Sequence, residues 1–230
     1  MRNELLCAWS GAVFLLFFFA GFVPLANFLP PPSPSASAAE IAAMYEQNAL
    51  QIRSGLILMV ISWALIIPFA AGISIQINRM HGGPSVLSYT QLACASSNAV
   101  LTIIPELLWT TAAFRPGQDP ELIRIFNDMG WITFLWPVGT FVVQVVATGF
   151  ATLSDKNEHV IFPRWYGFFC VWCAILFLPG VMLTYFKTGP FAWNGLLVFW
   201  LAVVSFFGWY AVTFVVLRAS IIRQALRAQT

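Results

Sequence analysis

The stretch "LTIIPELLWT", residues 101–110, places Glu106 one residue after Pro105 in a long apolar run with no other charge nearby. A carboxyl in such a setting can relay protons, act as a general acid, pair with a cation or hold the polar end of a ligand. Projected at 100° per residue, Gln91, Asn98, Thr102, Glu106 and Trp109 fall within a sector of about 80°. One helix face thus collects two amides, a hydroxyl, a carboxyl and an indole. A second stripe, Thr133, Pro137, Thr140, Gln144 and Thr148, recurs at spacings of three and four.

In an apolar medium an unpartnered amide costs roughly 2–7 kcal/mol, and a central acid about 2.5–3.5 kcal/mol even on insertion scales. The two stripes are therefore expected to face each other or a shared cavity. Glu106 precedes Arg115 by nine residues, roughly 13 Å of helix. At that depth its carboxyl is expected to be protonated, paired or reached by water, with Arg53 and Lys187 as the cations placed to pair with it. The candidate ligand-binding or proton-relay groups are Glu106, Asn98, Thr102, Gln91, Gln144, Arg53 and Lys187. No catalytic residue is assigned, and neither a metal nor a cofactor is expected. The two histidines, His81 and His159, fall in predicted loops, which argues against intramembrane haem or a histidine metal site.

The elements that must position these groups follow from composition. The chain has 230 residues, 60% hydrophobic and 9% charged. A soluble domain is about 25% charged, so this chain cannot cover a water-facing surface, and a lipid bilayer is its expected partner. A net charge of +2 gives no basis for nucleic-acid binding. A hydrocarbon core of about 30 Å takes ~20 helical residues. Six segments are long enough: roughly 5–29, 53–78, 87–114, 130–153, 165–186 and 194–217. The expected fold class is all-α, a single domain over 1–230 built as a bundle of about six transmembrane helices, several of them proline-kinked.

Pro24, Pro68, Pro105, Pro137 and Pro179 lie one in each of the first five spans. Each removes a backbone hydrogen bond, and in lipid the freed carbonyl must be satisfied or line a cavity. The pattern Ala36-x-Ala38 has the form of a signal cleavage site. It lies beyond a run of prolines and a long apolar segment, so the first span is expected to be retained. Arg2, Arg79, Lys156, Arg164, Arg218, Arg223 and Arg227 fall on one side, against Arg53, Arg115, Arg124 and Lys187 on the other. That bias places both termini in the cytoplasm.

Between the spans, "PPPSPSAS" (30–37) reads as an extended connector. Ser37 is placed to cap a helix over "AAEIAAMYEQNALQIR", either lying on the outer surface or, as the favoured reading, extending the second span. Asp119, Pro120 and Glu121 start a helix, expected to be an outer helix of two turns. Trp131, Trp136, Trp193, Trp200 and Trp209 are expected in belts and packing. "CVWC" (170–173) has the spacing of membrane thiol oxidoreductases, but no loop supplies a second pair, and buried cysteines are usually inert.

"TYFKTGPFAWNGLLVFW" (184–200) and "FRPGQDPELIRIFNDMGW" (114–131) resemble segments of an uncharacterised family of small polytopic inner-membrane proteins of actinobacteria and proteobacteria. The resemblance covers most of spans two to six. It implies a multi-pass protein of the bacterial inner (plasma) membrane and no particular activity.

Three functions stay open at this point. The leading one is binding of an apolar small molecule or lipid in an intramembrane cavity, or service as an accessory subunit of a membrane complex. The second is proton-coupled transport, for which one deep acid and no visible inverted repeat are sparse. The third is an intramembrane isomerase or cyclase with Glu106 as general acid, for which a second deep acid is missing; Asp128 is the nearest in kind. A homodimer or a membrane-complex partner is compatible with each.

Overall fold

The computed structural model describes residues 2–115 and 117–228, and these are all-helical, without strands. Helix α1 (Arg2–Ala20) runs into a π turn (Gly21–Leu25). The second span joins α2 (Ala38–Ala64) to α3 (Ile66–Met80), the third α4 (Val86–Leu101) to α5 (Ile103–Phe114), and the fourth α6 (Pro120–Leu135) to α7 (Val138–Leu153). The fifth is α8 (Arg164–Phe177) with a 3-10 segment (Leu178–Thr184), and the sixth a π turn (Leu196–Trp200) followed by α9 (Leu201–Arg227). Six units are long and apolar enough to cross a membrane: Arg2–Leu25, Ala38–Met80, Val86–Phe114, Pro120–Leu153, Arg164–Thr184 and Leu196–Arg227. This is a multi-pass membrane protein. Each span packs on the next in sequence and α1 packs on α9, so the six close into a ring in chain order.

Of the two connecting segments, one follows its favoured reading and one needs correction. The segment after "PPPSPSAS" extends the second span as the beginning of α2, because Ile41, Tyr45 and Ile52 face the protein and are buried. The expected two-turn helix after Asp119 is a 16-residue helix, α6, that runs on into the fourth span. Its buried residues Ile123, Asn127, Gly130 and Trp131 recur every three or four positions, which gives it one continuous packed face.

Both starts are capped as their sequences require. Ser37 Oγ accepts from Glu40 N at 3.3 Å and the Glu40 carboxylate accepts from Ser37 N at 2.7 Å, a reciprocal capping box. Asp119 accepts from Glu121 N at 2.8 Å with Pro120 in the first turn. Ser37→Ala is expected to cost about 1 kcal/mol and to speed amide hydrogen exchange over the first turn of α2 only. Unchanged exchange at residues 38–41 would show that packing alone holds that end.

The five prolines sit beside departures from α geometry. Pro24 is inside the π turn, where Ala26 N donates to Gly21 O at 2.8 Å. Pro68 follows the α2/α3 break at Leu65, Pro105 the α4/α5 break at Thr102, Pro137 separates α6 from α7, and Pro179 opens the 3-10 segment. Thr102 Oγ1 donates to Asn98 O at 2.7 Å, so one interrupted turn is tied by its own side chain.

In lipid the helices do not associate through the hydrophobic effect; close packing and interhelical hydrogen bonds hold them. The ring's centre is aromatic: Phe14 lies 5.0 Å from Tyr210, Phe18 4.6 Å from Phe207 and 5.2 Å from Trp63, centroid to centroid. At the end that carries the termini, Arg79 donates to Glu4 at 2.7 Å and 2.9 Å and to Gln224 at 2.7 Å, joining spans one, two and six. The buried Gln76 completes that junction by donating to Glu4 and accepting from Gln224.

Candidate functional site

Glu106 lies in the first turn of α5 and is wholly buried. Trp63, the last residue but one of α2, donates its indole N–H to Glu106 Oε1 at 2.7 Å. The other carboxylate oxygen, Oε2, has no hydrogen-bond partner among the described residues. Neither Arg53 nor Lys187 is bonded to it. The Arg53 Nε donates instead to Ala49 O at 3.2 Å, and Lys187 is exposed in the turn between spans five and six. The expected cation is thus replaced by a neutral donor, which satisfies one lone pair without bringing a second charge into the membrane.

About two turns away along the third span, Asn98 meets the fourth. Its Nδ2 donates to Gln144 Oε1 at 3.0 Å, and Thr140 Oγ1 donates to Asn98 Oδ1. The two polar stripes do face each other at these positions. Gln91 does not join them. It turns to the second span, donating to Ala70 O at 2.7 Å and to Ser74 Oγ, beside a reciprocal Ser74–Ser88 pair at 3.0 Å and 3.1 Å. The reason is that α4 lies between α3 and α7, so one polar face divides between two neighbours. Thr133 and Thr148 bond carbonyls of their own helices.

A partly open cavity occupies the ring at this level, with about 40 Å³ in which the centre of a water-sized molecule can sit. One water needs roughly 10–15 Å³ on that measure, so there is room for a few non-hydrogen atoms. Trp63 contributes from span two, Asn98 and Thr102 from span three, Phe141 and Pro137 from span four, Phe177 from span five, and Ala202 and Phe206 from span six. Asn98 and Thr102 are the polar side chains of that wall other than the Trp63 indole, whose N–H is engaged by Glu106. The helix breaks at Leu65, Thr102, Trp136 and Leu178 all fall within two residues of a wall residue. Interrupted backbone at membrane depth is tolerated where it is buried in protein or lines a cavity, and here four spans are interrupted around one.

Several buried polar atoms at this depth lack partners among the described residues: Glu106 Oε2, Trp109 Nε1, Gln144 Nε2, Tyr210 Oη and, at the separate α3/α4 contact, Gln91 Oε1. Chemically, the site offers one carboxyl with a free oxygen, two amides and a hydroxyl in an aromatic surround. Among the described residues no second carboxyl is hydrogen-bonded to Glu106. Asp128 is engaged elsewhere, accepting from Arg124 at 3.0 Å and from Asn127 at 3.1 Å.

Trp63 is the site residue that the sequence reading missed. A signal existed: interfacial tryptophans sit at span ends, whereas Trp63 lies ten residues inside the span that begins at residue 53, where a buried indole N–H must find an acceptor. The Asn127 junction was missed as well; its Oδ1 accepts from Tyr45 at 3.3 Å and Trp131 at 3.2 Å. The pair Cys170 and Cys173 is buried and free, with Cys170 Sγ accepting from the Trp209 indole at 3.2 Å. Comparison with protein-family models, with curated proteins and with solved structures returns no match for the chain.

Proposed function

We propose that this protein holds an apolar small molecule, or the end of a lipid chain, in the cavity at the centre of its ring. The observation that carries this reading is the coincidence of four helix interruptions with one aromatic-walled cavity whose polar contribution comes from Asn98 and Thr102. Small-molecule sites are typically apolar with a few placed polar groups. Asn98, held by Gln144 and Thr140, is positioned to orient the ligand's polar end. Glu106 acts behind the wall by fixing the Trp63 ring.

The setting we propose is the bacterial inner membrane, with both termini cytoplasmic. The excess of Lys and Arg at the end carrying the termini supports that orientation, and the resemblance of residues 114–131 and 184–200 to an inner-membrane family supports the compartment. Service as an accessory subunit, or pairing with a second copy, is compatible with the same cavity.

The test is mass spectrometry of small molecules that copurify with the wild type, beside Ala202→Phe and Val203→Trp, both of which fill the cavity. A specific apolar compound present in the wild type and lost from either folded variant is the expected result. Bulk lipid alone, bound in equal amount by the wild type and both variants, would refute the reading. A second reading, proton-coupled transport, is favoured by the unpaired oxygen of Glu106 beside interrupted helices. Proton flux into vesicles that is abolished by Glu106→Gln would establish it in place of simple binding.

A further inference from the structure

A second, larger cavity of about 350 Å³ opens at the end of the bundle opposite the termini, between α2 and the α5/α6 corner. It is separate from the central cavity and shares no wall residue with it. Its floor is tied by hydrogen bonds: Tyr45 is buried, and its hydroxyl donates to Asn127, which the Trp131 indole also holds. Its charged wall groups are Arg53 and Glu46, two turns apart on α2. Arg53 spends only its Nε, on Ala49 O; among the described residues no carboxylate is ion-paired with its guanidinium.

Below the cavity the surface is apolar in a regular way. Leu50 lines the cavity, and Ile57 and Ile61 follow at seven and eleven residues along α2, all exposed. Phe114 also lines it, and Leu107 and Ile103 precede it at the same two spacings along α5, again exposed. Eleven helical residues span roughly 16 Å, about half of a ~30 Å hydrocarbon core. Two packed helices thus carry exposed apolar rows from one charged pocket to the middle of the bilayer.

We infer that this pocket is a binding site for a zwitterionic glycerophospholipid, whose phosphate is held by Arg53, whose ammonium faces Glu46, and whose acyl chain lies against the rows descending from Leu50 and Phe114. Arg is suited to the task because its planar donors match phosphate oxygens. The acid on the same wall disfavours headgroups of purely negative charge and complements an ethanolamine.

The test adds palmitoyl-oleoyl phosphatidylethanolamine to delipidated protein in detergent and counts bound lipid by native mass spectrometry. The matching phosphatidylglycerol, the matching diacylglycerol and inorganic phosphate run alongside. One phosphatidylethanolamine per chain is expected, with at least tenfold lower occupancy in Arg53→Gln and in Ala49→Trp, which fills the pocket while leaving the backbone acceptor of Arg53. Both variants should melt with the wild type, and Ala202→Phe in the central cavity should retain the lipid. Equal occupancy in wild type and both variants would overturn the site. Preference for phosphatidylglycerol would overturn the headgroup assignment, and displacement of the lipid by inorganic phosphate would reduce the site to one for the free anion.

Discussion

Trp63→Phe should destabilise the protein by about 1–3 kcal/mol, the range for leaving a buried polar group without its partner. Glu106→Leu should do similar damage, because it strands the Trp63 N–H in an aromatic surround. The informative experiment is the pair. Once both polar groups are gone the loss should be much smaller than the sum, since replacing both partners by apolar groups of similar shape is close to neutral. The coupling is expected near 1.5 kcal/mol, toward the upper end for hydrogen bonds between membrane helices, which average about 0.6 and reach about 1.7. The high placement follows from geometry: Trp63 is the side chain that holds this carboxyl, at 2.7 Å, and Oε2 has no partner among the described residues. Glu106→Gln should be the mildest variant, because its amide oxygen still accepts from Trp63. Additive losses in a double-mutant cycle, read by thermal unfolding in one detergent, would refute the contact as an energetic unit.

Gly55→Leu should prevent folding or cost more than about 3 kcal/mol, beyond the usual range for overpacking. A Cβ on Gly55 would fall on the carbonyl oxygen of Gly21 and lie 2.7 Å from Ala26 N, and a Cβ on Gly21 would fall on Gly55 O. Both obstacles are backbone, so no rotamer change relieves them. Other glycines grade the effect. At Gly149 a Cβ would meet Cys170 Cβ and Gly167 O at 3.0 Å, which a small shift of α8 accommodates; at Gly208 it would meet nothing within 4 Å. The alanine series should therefore rank Gly55 worst, Gly149 intermediate and Gly208 neutral in thermal unfolding. A flat series would show that the α1/α2 crossing is not set by backbone contact.

The architecture was legible because it rests on signals that act locally. Apolar runs long enough to cross a bilayer marked all six spans, and Ser37 and Asp119 with their downstream acids marked two helix starts. Boundaries were less legible where a helix keeps a packed face beyond the hydrocarbon: Ile41 and Tyr45 keep α2 helical ahead of its span, and Ile123 and Asn127 do the same for α6. At the site, helical projection brought Asn98 into register with Gln144, and the structure places them 3.0 Å apart. The same projection put Gln91 in that group, although it bonds a different neighbour, because angular position on a helix does not say which partner covers each height. The partner of Glu106 escaped for a related reason. Charge complementarity pointed to Arg53 and Lys187, whereas the group within reach is an indole 43 residues away in sequence, chosen by how two interrupted spans cross.

The closed ring carries a consequence for biosynthesis. The first span's neighbours include the sixth: Phe14 and Phe18 pack against Tyr210 and Phe207, and Arg79 joins Glu4 to Gln224. A ribosome delivers the first of these partners four intervening spans before the second. The nascent first helix must therefore dwell in lipid with its contacts to the sixth unmade until that span emerges, and maturation is a clasping step rather than a gradual accretion.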